Sequence, residues 1–157
     1  QQIVRQAAQR AGIELELKAI TASVFFSADV ANPDTFPKFY SDVQMYTTTM
    51  TQADPQRFMN QYASWEAASR ANNWQGRNIM RFRSEEYDRR FREAETELDP
   101  IKRAALFIRM NDIVVSSNHV IPVVLRPLVS ASLNNLRPVL SAWDSTLWLL
   151  SDWWRES

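Results

Sequence analysis

Apolar side chains at Ile3, Val4, Ala7, Ala8 and Ala11 recur every third or fourth residue, the spacing of one helix face. Gly12 comes at once after them, where a left-handed helix stop belongs. Ile13, Leu15 and Leu17 then alternate with Glu14, Glu16 and Lys18, the period-two signature of a half-buried strand. Helix, glycine and strand in that order predict an α/β layer. Thr21 is placed to cap a short helix carrying Phe25 and Phe26, and Asn32-Pro33-Asp34 reads as a turn. Residues 42–50 (DVQMYTTTM) are rich in β-branched and aromatic types and predict a second strand.

Helix signals dominate the stretch from residue 54 to residue 117. Asp54-Pro55 is a cap-plus-first-position pair that starts a helix through about Ser64. Residues 65–76 read as a polar loop with aromatic punctuation. Ser84, with Glu85 and Glu86 after it, opens another helix, where acid suits the positive end of the dipole. That helix stops before Pro100, because the residue ahead of a proline resists the α region. Asp99-Pro100 repeats the device and begins a long helix to about Ser117. On it Ile101, Ala104, Ala105, Ile108 and Asp112 share a face, while Leu106, Met110, Ile113 and Val114 widen the apolar stripe. Residues 120–125 form a near-continuous apolar run, the kind found in a covered strand. Pro122 inside it argues for an edge position or a bulge. Beyond residue 127 the alternation is weak, and the Trp-rich end leaves helix and strand both open. The expected fold class is α/β, a mixed β-sheet flanked by helices.

Composition narrows the functions. A chain of 157 residues fits one domain with a core of its own. Lys plus Arg and Asp plus Glu balance at 18 each, so no global field draws the chain to nucleic acid or anionic lipid. No apolar run approaches the roughly 20 residues that span a bilayer. No stretch reads as a signal peptide, and Gln1 opens inside an amphipathic helix, so the chain is expected to be a piece of a longer protein. Zero cysteines excludes disulfides, thiol nucleophiles and cysteine-ligated metals. With only Gly12 and Gly76, no glycine-rich phosphate loop can be written.

Candidate chemistry is sparse. His119 is the sole histidine, and nothing near it marks a nucleophile or a second metal ligand. The carboxylates from Glu85 to Asp99, interleaved with Arg83, Arg89, Arg90 and Arg92, could serve acid–base chemistry. They read better as a solvated face with i,i+4 pairs such as Glu85–Arg89. The run Asn78-Ile79-Met80-Arg81-Phe82 mixes cation and aromatic types in the manner of a base-stacking segment. It lacks a supporting basic stripe, and nucleic acid is not an expected partner. Trp143, Trp148, Trp153 and Trp154 could line a sugar or peptide cleft, or simply bury large area.

The order of several weak signals is more telling than any one of them. Ile3 to Leu17 with Gly12-Ile13, Asp42-Val43 leading to Asp54-Pro55, Asn78, Glu86-Tyr87-Asp88, Asp99 to Arg103 and Ile121-Pro122-Val123 succeed one another along nearly the whole chain. In that order they resemble the C-terminal lobe of periplasmic solute-binding proteins of peptide and nickel ABC importers (bacterial extracellular solute-binding protein family 5). The resemblance implies one lobe of a two-lobed (class C) clamp. Residues 1–126 would be the ligand-binding lobe, and residues 127–157 a tail crossing toward the other lobe. It implies a non-enzymatic protein, with no cofactor and no metal site, in the periplasm or outside the cell. The implied partners are a small-molecule or peptide ligand, ABC permease subunits and the remaining lobe. The alternative is an interaction module that docks a protein through the Trp-rich tail.

In oligopeptide and dipeptide binders of this kind, an aspartate three residues before the acidic-Pro pair salt-bridges the peptide's α-amino group. Thr51 stands there in this chain, and Met45 stands where the oligopeptide binder has an arginine. A buried ammonium with no carboxylate would be costly. The resemblance therefore implies a ligand held without its amino terminus. Tyr46, Thr48, Thr49, Thr51 and Gln52 are the expected ligand-binding residues, offering hydroxyls and an amide to a neutral or polyhydroxylated solute or to a peptide backbone.

Overall fold

Two antiparallel helices hold the core. In the computed structural model, which describes residues 1–50, 52–127, 129, 131–140 and 149–156, these are α4 (Glu85–Thr96) and α5 (Pro100–Ser116). Both start on the caps that the sequence predicts. Ser84 Oγ accepts from Tyr87 N at 3.2 Å, and Asp99 Oδ1 accepts from Ile101 N and Lys102 N at 2.9 and 3.3 Å. Pro100 sits where its missing N–H costs nothing. Tyr87, Phe91 and Ala94, spaced four and three residues apart, turn one stripe of α4 inward. They meet Leu106, Phe107, Met110 and Val114 of α5.

The remaining core comes from short elements preceding α4. α3 (Gln56–Met59) runs directly into a 3-10 turn, Asn60–Tyr62, and further 3-10 turns lie at Ser64–Glu66 and Arg70–Asn72. The single helix expected from Asp54 to Ser64 is thus broken at Asn60. Met59 and Tyr62 reach the core beside Phe82, and the Tyr87 hydroxyl donates to the Met59 carbonyl at 2.5 Å. Asn78 is fully buried and entirely engaged. Its Nδ2 donates to the Ala63 and Phe82 carbonyls at 3.0 and 2.7 Å, and its Oδ1 accepts from Phe82 N at 3.0 Å.

At the amino end α1 (Gln2–Arg10) closes as expected. Gly12, at φ +80°, donates to the Gln9 carbonyl, and Ile13 N donates to Ala8, the paired bonds of a Schellman stop. Thr21 precedes α2 (Ala22–Phe25) without a side-chain cap bond. Asn32 Oδ1 accepts from Asp34 N at 2.9 Å, which makes the expected turn. Lys38 is buried, its ammonium held by the Val30 and Asn32 carbonyls at 2.5 and 2.6 Å.

The expected mixed sheet flanked by helices is overturned. Among the described residues there are five α-helices and one two-stranded antiparallel sheet, β1 (Leu136–Arg137) with β2 (Trp154–Arg155). This is not an α/β lobe. Residues 13–17, 42–50 and 120–125, all predicted strands, form no ladder. Several of their apolar side chains stay in solvent, with Ile13 56% exposed, Val43 67%, Val124 78% and Leu125 97%, while Leu15, Leu17, Tyr46, Met50 and Val120 are half-buried. The physical reason is that strand propensity measures fit to a pleated, half-covered surface, and among the described residues no neighbouring strand meets these segments to form a ladder. Pro122 removes one ladder donor besides.

Candidate functional site

The long segment between α2 and α3 lines one of two adjoining hollows. Phe36 N donates to the Phe25 carbonyl at 2.8 Å, which folds the chain back so that Phe25, Phe26 and Phe36 gather. Tyr46 joins them, with ring centroids 6.0 to 6.4 Å from the three phenylalanines. Phe25 meets Phe26 edge-on at 4.9 Å. Such offset and edge geometries are the favoured ones for aromatic groups.

Beyond Tyr46 the chain runs along a hollow of about 390 Å³, at the small end of the range of roughly 300–1,000 Å³ typical of ligand pockets. Phe26, Phe36 and Tyr46 line it, together with Asp54, Arg57, Phe58 and Gln61 of the α3 region and with Gly76 and Arg77. Thr47, Thr48, Thr49, Met50 and Gln52 line it as well. Four of the five expected ligand-binding residues, Tyr46, Thr48, Thr49 and Gln52, therefore share one cavity. Thr51 lies outside the described residues.

Gly76 is where the wall is made possible. Its φ is +143°, and a Cβ there would sit 2.3 Å from the Glu66 carbonyl oxygen. That close approach aligns Asn78 N with the Glu66 carbonyl at 2.9 Å and Ala68 N with the Asn78 carbonyl at 3.2 Å. Arg77 N is held by Glu66 Oε2 at 3.2 Å, and its Nη1 donates to the Arg57 carbonyl at 3.2 Å. A second hollow of about 410 Å³ adjoins the first, and Gln52, Asp54, Arg57 and Arg77 belong to both.

Burial and ion pairing shift several titratable groups in and behind the hollow. Burial pushes the Tyr46 phenol above its ordinary range, so it presents a neutral hydroxyl. Tyr62 and Tyr87 are raised for the same first reason. Hydrogen bonds from Arg103 hold Asp54 below the usual carboxylate range, and those from Arg109 and Arg90 do the same for Glu86. Each of these shifts moves the group's titration further from neutral pH.

The other sequence candidates sit elsewhere. His119 is exposed, stacked edge-on against Phe82 at 5.2 Å, with Nδ1 3.0 Å from Ser117 Oγ. No cluster of three or more His, Asp or Glu able to hold a metal occurs among the described residues. In the acidic helix the pairs fall at Glu86–Arg90 and Arg92–Glu95, at 3.0 Å each. The segment read as a base stacker is mostly inside: Asn78, Ile79 and Phe82 are buried, and Arg81 donates to the Lys38 carbonyl. In the tail Trp153 Nε1 donates to the Val139 carbonyl at 2.9 Å, while Trp154 is 56% exposed. Trp143 and Trp148 lie outside the described residues.

Phe26, Phe36, Arg57, Phe58, Gln61 and Arg77 were not foreseen as part of a site. The Phe25-Phe26 pair was a visible signal, whereas Arg57 and Arg77 carried none. No protein-family model matches this chain, and no curated protein or solved structure matches it either.

Proposed function

We propose that this chain reversibly captures a small solute without chemical change and hands it to an ABC permease outside the cytoplasmic membrane. One observation carries the capture step: Tyr46, Thr48, Thr49 and Gln52 line a single hollow that has aromatic rings in its wall. Apolar walls supply affinity, and a few convergent hydroxyls and amides supply orientation. The importer role rests on the ordered resemblance along the sequence.

Thr51 in place of an ammonium-binding aspartate favours a solute held by its body and backbone, without a clamp on a free amino terminus. Short peptides test this directly. Tripeptides and their N-acetylated forms should raise the thermal midpoint of the chain to similar extents, because a ligand that binds only the native state stabilises it. A large loss of affinity on acetylation would sink the reading.

A further inference from the structure

The two hollows share a pair of arginines, Arg57 and Arg77, in their common wall. Arg77 is pinned by its backbone N–H to Glu66 and by Nη1 to the Arg57 carbonyl, and among the described residues its other guanidinium donors have no partner. The carboxylates in the same lining are already taken. Asp54 accepts from Arg103 at 2.7 and 3.2 Å, and Glu95 accepts from Arg92 at 3.0 Å. Among the described residues neither Arg57 nor Arg77 has a carboxylate within ion-pair distance of its guanidinium. Two uncompensated positive charges thus stand beside an aromatic wall and a row of hydroxyls.

We infer that the captured solute is an organic acid: an apolar or aromatic body with a carboxylate that Arg57 and Arg77 hold between them. This rests on the solute-capture reading and specifies its ligand class. Phe26, Phe36 and Phe58 take the body. The threonines and Gln52 hold its neutral polar atoms. A carboxylate offers two oxygens to the forked donors of a guanidinium, and such charge-assisted bonds are the strong ones. A wholly neutral sugar would gain no charge-assisted bond from either cation.

The test is calorimetric titration of the whole chain with N-acetyl-Ala-Ala-Phe as the free acid and as its C-terminal amide. The acid should bind roughly tenfold or more tightly than the amide. The gap should narrow as salt is added, because the cations are exposed. Replacing both residues, Arg57→Gln with Arg77→Gln, should bring the acid down to the affinity of the amide while the amide is unmoved. Equal binding of acid and amide by the unaltered chain overturns the inference and leaves solute capture standing. A preference for the acid that survives both replacements overturns the assignment to these two arginines. Binding of neither probe removes the capture reading, and this inference with it.

Discussion

Arg103 at the start of α5 grips Asp54, 49 residues earlier, through two nitrogen–oxygen contacts of 2.7 and 3.2 Å. The same guanidinium donates to Gln56 Oε1 at 2.7 Å and, through Nε, to the Ala94 carbonyl at the end of α4 at 3.0 Å. It also lies over the Phe107 ring at 4.7 Å. One side chain thus ties the helical hairpin to the rim of the hollow. The position of the candidate site is set by the core behind it.

That tie makes stability depend on pH in a defined direction. Asp54 is held below its ordinary value, so its contribution is present above about pH 4, where the unfolded aspartate is ionised, and is lost as the pH falls through the lower folded value. Asp54 is half exposed, so the pair is worth only about 0.5–1 kcal/mol. Asp54→Asn should lower the urea midpoint at neutral pH. The difference from the unaltered chain should close in strong acid. A difference that is constant with pH would contradict the account.

Asn78 offers a sharper stability test. Asn78→Ala removes partners from the Phe82 N–H and from the Ala63 and Phe82 carbonyls in a fully buried place. The expected loss is about 2–4 kcal/mol by chemical denaturation, since each orphaned group carries a desolvation penalty. Asn78→Asp should be at least as damaging, because it sets a carboxylate oxygen against two carbonyls.

Gly76→Ala should cost about 1–3 kcal/mol. The added Cβ meets the Glu66 oxygen at 2.3 Å, and the φ of +143° strains any L side chain. The wall carrying Arg77 moves with it. Ligand affinity should fall further than stability predicts, as titration beside a denaturation curve would show.

On α5 two nearby substitutions should separate cleanly. Met110 is fully buried and Ile108 is 65% exposed. Met110→Ala should cost about 2–5 kcal/mol and Ile108→Glu less than about 0.5 kcal/mol. Similar losses for the two would mean that the helix is turned the other way.

The same helix shows how far the sequence could be read. Its limits come from Asp99, Pro100 and their neighbours, signals that act within a few residues. Its faces do not. Ile101, Ala104, Ala105 and Ile108 make as good an apolar stripe as Leu106, Phe107, Met110 and Val114, and only packing on α4 decides between them. The Schellman stop at Gly12 and the cap at Ser84 were legible for the same local reason. The strands failed because a strand is defined by its partner, and residues 42–50 carry the right types with no ladder to join. The site was half legible. Tyr46, Thr48, Thr49 and Gln52 adjoin one another in the chain, whereas Arg57 and Arg77 reach the hollow only through the Gly76 approach and the tie between Arg103 and Asp54.

The most direct measurement is the map of backbone amide shifts in a proton–nitrogen correlation spectrum as N-acetyl-Ala-Ala-Phe is added to the chain. Solute capture predicts saturable changes at Tyr46 to Gln52, Arg57, Gly76 and Arg77, with Trp153 and Trp154 unmoved. Changes confined to the tryptophan tail and the exposed face of α5, or no saturable change anywhere, would contradict it.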